Sequence, residues 1–342
     1  MTNTVDIDTG SLTAYLEAAL PGFQGPIALE KFAGGQSNPT YRLRTRSGDY
    51  VLRRKPAGEL LKSAHAIDRE FRVMRALGKT GVPVAEAYHL CEDASIIGSD
   101  FYLMSYVEGR VFWDPALPDI ERDRRRDYYD EMNRVLAAMH CIDVDAVGLG
   151  DYGRAGNYFE RQIARWSRQY LASETESIEA MNQLIAWLPQ QLPEDDGRIS
   201  LVHGDYRLDN FLFHPTEPRI LAVVDWELST LGHPFADLAY QCMQWRMPHE
   251  GTMHGLGGLD RRALGLPTEA AYVEDYCARM GLDGIEYWNF YLAFSFFRLA
   301  AIVQGVKKRA LEGNASSTRA LAVGELARPL SEMAMDLIER GN

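Results

Sequence analysis

Apolar positions along the chain change their period near Gly109. Before that point short apolar runs alternate with turns. Ser11 to Leu20 reads as a short amphipathic helix with Ser11 as its N-cap. Ile27 to Phe32, Thr40 to Thr45 and Tyr50 to Arg54 read as strands, the last closed by Pro56. Ile67, Phe71, Met74 and Leu77 recur at spacings of three and four, which predicts a helix over His65 to Leu77. Ala85 to Cys91 and Phe101 to Tyr106 are two further strands. Beyond Gly109 the period becomes helical: Ile120 to His140, Tyr158 to Ala172 and Thr175 to Leu188. A short β-rich island, Ile199 to Trp226, interrupts it around the turn His214 to Pro218. Helices return at Glu269 to Met280, Tyr287 to Leu311 and Ser317 to Arg340, and the Gly- and His-bearing segment Met247 to Pro267 reads as a loop. The expected architecture is α+β with two lobes. Residues 1–104 form a small β-rich N-lobe, 105–109 a hinge, and 110–342 a larger helical C-lobe carrying a hairpin at 199–227.

Composition narrows the classes. The chain has 342 residues, 46% apolar and 25% charged, the balance of a globular protein that buries its own core. Its 36 basic and 48 acidic residues give a net charge of −12, which argues against a nucleic-acid binder. The charge is uneven. Met1 to Gly109 holds 12 basic and 13 acidic residues, the remainder 24 and 35, and Arg42 to Lys79 is locally basic with 11 against 4. Four cysteines without C-x-x-C spacing exclude a zinc ribbon and a disulfide framework, and fit a reducing, cytoplasmic setting. The start MTNTVDIDTG has neither a basic nor an apolar leader segment. The most apolar stretch, Tyr291 to Val306, is broken by Arg298 and Gln304 and is too short to span a bilayer. No membrane association is expected, and the oligomeric state is open.

The island carries the strongest chemical signal. Leu201-Val202-His203-Gly204-Asp205-Tyr206-Arg207-Leu208-Asp209-Asn210 is followed by Val223-Val224-Asp225-Trp226-Glu227. Phosphoryl transfer needs a carboxylate to accept the proton of the attacking hydroxyl. It also needs an amide oxygen and a second carboxylate to hold Mg2+ against the triphosphate. Asp205 is the candidate base; Asn210 and Asp225, hard oxygen donors, are the candidate metal ligands. A second constellation lies upstream. Phe32-Ala33-Gly34-Gly35-Gln36-Ser37-Asn38 sits between two strands, where glycines let backbone N–H groups close over phosphate oxygens, although a Gly-Gly hairpin turn fits equally well. It is not a Walker P-loop. A strand cation in Val51-Leu52-Arg53-Arg54-Lys55 followed by the helix residue Glu70 is the order in which a kinase lobe orients phosphates.

Together these segments resemble the aminoglycoside phosphotransferase and choline kinase superfamily, which has a protein-kinase-like fold. The resemblance covers roughly Ala33 to Arg309 and rests on His203 to Asn210 with Val224-Asp225-Trp226-Glu227-Leu228-Ser229-Thr230-Leu231-Gly232-His233-Pro234-Phe235-Ala236-Asp237. The runs Val51 to Pro56 and Ser63 to Glu70 are similar to a subgroup, the kinase-like domain fused to or beside acyl-CoA dehydrogenases. The resemblance implies Asp205 as base, Asn210 and Asp225 as Mg2+ ligands, and Gly34, Gly35, Gln36, Ser37 and Asn38 as the phosphate loop. Arg53 would stand where the nucleotide-anchoring lysine usually stands, with Glu70 as its partner. Met104 to Gly109, including Tyr106, would meet the adenine, and Asp237 would hold the catalytic loop. Arg53 in place of lysine is a departure, and Lys55 shares its strand face by period-two alternation. The cofactors implied are ATP, with GTP left open, and Mg2+. The partner is a small-molecule hydroxyl acceptor. The subgroup points to a hydroxyacyl-CoA, a CoA thioester, or a hydroxy acid. The acidic C-terminal part points to an aminoglycoside or amino alcohol instead. A nucleotide-binding pseudokinase acting as a regulatory module is the alternative of another class. Glu227 is open between a metal or acceptor contact and a salt bridge. Arg298 is open between the acceptor and a carboxylate, and His233 reads as a turn residue.

Overall fold

The computed structural model describes residues 7–32, 38–56, 66–154, 156–313 and 319–340. The chain forms two compact units. The first comprises Met1–Arg110, Val147–Leu149 and Phe211–Ser229; the second comprises Val111–Ala146, Gly150–Asn210 and Thr230–Asn342. This division departs from the expected boundaries: Val147–Leu149 and the second half of the β-rich island belong to the first unit, not to the helical part. The cause is backbone pairing within that unit. Arg110 and Phe213 exchange hydrogen bonds of 2.7 and 2.9 Å, and the Val223 N–H donates to the Pro83 carbonyl at 2.9 Å.

The first unit opens with α1 (Thr9–Ala19), capped by Asp8 rather than by Ser11, because the Asp8 carboxylate accepts the N–H groups of Gly10 and Ser11. A five-stranded antiparallel sheet follows: β1 (Ala28–Lys31), β2 (Thr40–Thr45), β3 (Gly48–Arg54), β4 (Ala87–Cys91) and β5 (Phe101–Ser105), in the order β1-β2-β3-β5-β4. One sheet face closes a core with α1, built on Leu12, Leu16, Leu43, Leu52, Phe101 and Leu103. α2 (Ile67–Leu77) buries Ile67, Glu70, Val73, Met74 and Leu77, so its inward stripe includes a carboxylate.

The second unit is helical. It contains α3 (Arg125–His140), α4 (Tyr158–Ser173) and α5 (Glu179–Gln190), then β6 (Ser200–Val202) and a 3-10 turn at Leu208–Asn210. The rest of the island lies in the first unit, where β7 (Phe211–Phe213) and β8 (Ile220–Val223) pair as the expected hairpin. β6 pairs instead with β9 (Thr230–Gly232), and α6 (Phe235–Cys242) follows at once. His233 and Pro234 form the turn between them, as the sequence reading had it. α7 (Glu269–Met280), α8 (Trp288–Leu311), α9 (Ala320–Gly324) and α10 (Ala327–Glu339) complete it, the last two dividing what periodicity reads as one helix. At 24 residues α8 is long and apolar enough to cross a membrane, which corrects the length argument; 83% of its most apolar window is buried inside the protein.

Candidate active site

In the first unit the cluster forms around β3. Period-two alternation sends Leu52 into the core and Arg53 to the opposite face, toward α2. Register places Arg53 across from Tyr102 of β5. Arg53 is buried, and its Nε lies 2.9 Å from Oε2 of Glu70. Its Nη2 donates to Oδ1 of Asp225 at 2.8 Å and lies 3.7 Å from Oε2 of Glu227. Glu70 is 1% exposed. It accepts hydrogen bonds from the Asn38 amide at 2.9 Å and the Tyr102 hydroxyl at 3.0 Å. Burial raises the Glu70 carboxyl from 4.5 to about 7; Arg53 opposes the shift, and Asp225 and Glu227 add to it. Burial alone would weaken the Arg53 cation, but Glu70 with Tyr102, Asp225 and Glu227 holds it above its ordinary range. Lys55 goes elsewhere, pairing with Asp100 at 2.6 Å. Of the two cations left open by alternation, Arg53 is therefore the one that meets Glu70.

Asp225 follows β8 in a left-handed conformation, φ 67° and ψ 60°, and caps the short turn Trp226–Leu228. Trp226 is buried beneath it, with its indole N–H on the Val223 carbonyl at 3.0 Å. The Asp225 side chain stays 37% exposed, so only part of it is committed to Arg53. Met104 and Tyr106 lie at and just beyond the end of β5, half-buried, with the Arg42 guanidinium 3.9 Å above the Tyr106 ring. Gly109 is required by close approach: a Cβ there would come within 2.9 Å of the Phe213 carbonyl oxygen. Gly34, Gly35, Gln36 and Ser37 lie outside the described residues. Asn38 is described: its side chain is fully buried and its amide donates to Glu70, which holds the partner of Arg53.

In the second unit Asp205 lies between β6 and the turn at Leu208–Asn210. The loop backbone is clamped from below. Asp237, fully buried on α6, accepts the His203 N–H at 2.6 Å and the Gly204 N–H at 2.8 Å. His140 of α3 lies 3.5 Å from the same carboxylate and shares a 2.7 Å hydrogen bond with the Tyr276 hydroxyl. Gly204 needs its positive φ of 84°. Its carbonyl accepts from Arg298 of α8, which is buried between the rings of Trp166 and Tyr240. Arg298 thus anchors a backbone carbonyl, and its charge also favours the ionised form of Asp205.

The Asp205 side chain is 22% exposed. The Asn210 amide donates to its carbonyl at 2.8 Å and to its Oδ2 at 3.0 Å. With Nδ2 spent on Asp205, Oδ1 is the atom Asn210 has left for a hard cation. Arg207 lies 3.5 Å from Asp205 and pairs with Asp209 at 2.7 Å. Burial would raise the Asp205 pKa, but Arg207, a hydrogen bond from Tyr240, His203 and Arg298 outweigh it and hold the carboxyl below its usual range. Tyr240 is the site residue that residue-level reading missed. Among the described residues no cluster of three or more His, Cys, Asp or Glu side chains forms a metal cage. Asp225 in the first unit and the Asn210 amide oxygen in the second are each, taken singly, a hard oxygen donor of the type that suits Mg2+. His233 is a core residue: it stacks on Tyr291 at 5.7 Å and 16° and faces Asp196 at 3.3 Å.

The second unit also holds a cavity of about 1120 Å3, lined by Trp245, Arg246, Arg261, Trp288 and Arg340 together with the carboxylates Glu286 and Asp336.

A model of the phosphotransferase enzyme family matches residues 28–274. The chain belongs to that family and is a phosphotransferase, as the resemblance implied. It is 50% identical over 335 residues to acyl-CoA dehydrogenase family member 10 of Mus musculus, covering 97% of this chain and 31% of that protein. The chain therefore spans about a third of that curated relative's length. A crystal structure of a candidate aminoglycoside phosphotransferase from Ralstonia eutropha superposes with a TM-score of 0.90 at 54% identity, covering 98% of this chain and 99% of that one. Choline kinase from Cryptosporidium parvum shares the fold at a TM-score of 0.64 and 10% identity, covering 97% and 96% of the two chains. The fold is protein-kinase-like.

Proposed function

We propose that this phosphotransferase moves the γ-phosphoryl group of ATP to the hydroxyl of a small molecule. Asp205 accepts the proton as the hydroxyl oxygen attacks phosphorus, the β–γ bridging P–O bond breaks, and ADP leaves. The observation that carries the reading is Asp205 itself. Its carboxyl is kept ionised by its neighbours, oriented by Asn210, and borne on a loop whose backbone is clamped by Asp237. A base must be unprotonated and in place before the acceptor arrives. Arg53, fixed by Glu70, anchors the phosphates. Asn210 and Asp225 give the oxygen ligands of Mg2+, which when bound offsets charge on the triphosphate.

The acceptor we favour is a hydroxyacyl-CoA or hydroxy acid. One observation supports it: the mouse relative carries an acyl-CoA dehydrogenase name. The name of the Ralstonia eutropha structure supports the competing aminoglycoside or amino-alcohol reading.

The test is Mg2+-dependent transfer from ATP to a panel of 3- and 4-hydroxyacyl-CoAs, free hydroxy acids, amino alcohols and aminoglycosides. Turnover of the acyl class, lost in Asp205→Asn, is expected. Turnover of the cationic classes alone would replace the acceptor assignment. Nucleotide binding with no transfer to any member would favour the pseudokinase alternative.

A further inference from the structure

We propose that Arg165 of α4, set beside Arg298 of α8, takes an anionic group of the acceptor, a carboxylate or a phosphate. The inference deepens the reading of an acyl-class acceptor and rests on Asp205 being the base at which that acceptor reacts.

Tyr158, Arg161 and Arg165 follow at intervals of three and four and so share one face of α4. Next to Arg165, Trp166 is buried, and its indole N–H donates to the Gln162 side chain at 3.1 Å, which fixes the ring. Two guanidinium groups lie against that ring, Arg165 at 5.1 Å and Arg298 at 5.5 Å from its centroid. An indole face attracts cations, and here it holds two of them in one place. The Tyr158 phenol registers the same cluster. Burial pushes it up to about 12 and Asp237 adds to the rise, while Arg298, Arg165 and Arg161 all pull it down. The cluster is short of negative charge. Elsewhere in this unit arginines find carboxylates: Arg134 pairs with Glu131, Arg246 with Glu269 and Arg279 with Asp130. Among the described residues Arg165 forms no ion pair, and no carboxylate is among the groups that act on it. It is open to solvent, yet crowding by the protein and the charge of Arg298 hold it below its ordinary range. Like charges held together repel, and an anion seated at Arg165 relieves that repulsion.

Position decides whose anion it is. Arg298 donates to the carbonyl of Gly204, the residue before Asp205, and its charge helps to hold the Asp205 carboxyl low. Arg298 is thereby committed to the loop, and Arg161 gives a bond to the Gly156 carbonyl. Arg165 is the member whose planar fork is left to meet a carboxylate or phosphate with two parallel hydrogen bonds. Because it shares the Trp166 ring with Arg298, it stands beside the loop where the acceptor hydroxyl must lie. The field of the cluster repels an amine-bearing acceptor and attracts an anionic one. One chemistry has two sources here: the carboxylate of a free hydroxy acid, close to its hydroxyl, or the phosphates of a CoA thioester, at the far end of its arm.

The experiment is calorimetric binding of three probes to the full chain: coenzyme A, 3-hydroxybutyrate and ATP. Wild type, Arg165→Gln, Arg165→Lys and Arg168→Gln are compared, with circular dichroism melts to show that each is folded. Wild type is expected to bind coenzyme A or 3-hydroxybutyrate, and the one that responds to Arg165 identifies the source of the anion. Its Kd is expected to rise at least about tenfold in Arg165→Gln, to recover in part in Arg165→Lys, and to stay unchanged in Arg168→Gln, one turn further along α4. ATP affinity is expected to stay unchanged throughout. If Arg165→Gln binds the probe as wild type does, or Arg168→Gln weakens it equally, the role of Arg165 is overturned while the acyl-class acceptor stands. If ATP affinity falls in Arg165→Gln instead, the cluster serves the nucleotide and the acceptor role is overturned. If wild type binds neither coenzyme A nor 3-hydroxybutyrate, the acyl-class reading fails and the inference fails with it.

Discussion

Two carboxylates, a buried one in the first unit and a half-buried one in the second, meet opposite fates. Glu70 in the first unit faces a guanidinium, a hydroxyl and an amide, yet its pKa rises to about 7 because burial and the nearby charges of Asp225 and Glu227 prevail. Asp205 in the second unit is also penalised by burial, yet it is held low because Arg207, Tyr240, His203 and Arg298 all favour the ionised form. Burial does not decide either case by itself. The sign and number of the groups around each carboxylate decide it. Environments that push two carboxylates apart also separate their tasks. The one held ionised is fit to accept a proton, and the one near neutrality is fit to position a cation.

The largest expected effect comes from removing the low-pKa partner. Asp205→Asn keeps the shape and loses the base, and kcat is expected to fall by about 10²- to 10⁴-fold with nucleotide affinity nearly unchanged, as read by steady-state kinetics and ADP binding. Next is the clamp beneath it. Asp237→Ala leaves two buried backbone N–H groups without their acceptor, at a cost of about 3 kcal/mol in a urea unfolding series. An unchanged midpoint would show that the loop does not depend on this clamp.

Glu70 gives a comparable effect with a different signature. Its folded pKa lies above its unfolded value, so the folded state holds the extra proton. That contribution to stability is complete below pH 4.5 and is lost as pH rises through about 7. From this one group it amounts to roughly 3 kcal/mol at most. Denaturation across this window should lose the Glu70 contribution in Glu70→Gln, seen as the difference between the two pH profiles. The smallest effects sharpen the comparison. Tyr240→Phe removes one group that lowers the Asp205 pKa, so the acidic limb of activity should move upward while kcat at neutral pH changes by less than about threefold. Lys55→Ala breaks a half-exposed pair and should cost under about 1 kcal/mol.

The site was legible where spacing along the chain carries it. Asp205, Asn210 and Asp225 stand out because the chemistry needs fixed separations on a short hairpin. Glu70 could also have been read as buried: Ile67, Glu70 and Val73 follow at intervals of three, and only the choice of Phe71 for the apolar stripe hid it. The elements that escaped are those buried on every side. All eight residues of α6 are buried, so no polar face gives it a period, and β9 is three residues long. Asp237 was legible through the family resemblance alone. Tyr240 was not legible at all, and the contacts of Asn38 and Arg298, both singled out in other roles, were not either, because each acts on a residue at least 32 positions away.

The division of labour between the two carboxylates is tested most directly by the pH dependence of kcat/KM for phosphoryl transfer in Glu70→Gln, from pH 4.5 to 8.5. With the group of pKa about 7 removed, the account predicts a plateau through neutrality that falls only in the acid range where Asp205 takes up a proton. A limb that still falls between pH 8 and 6 in this variant would mean that the base itself titrates near neutrality, and would contradict the assignment of Asp205.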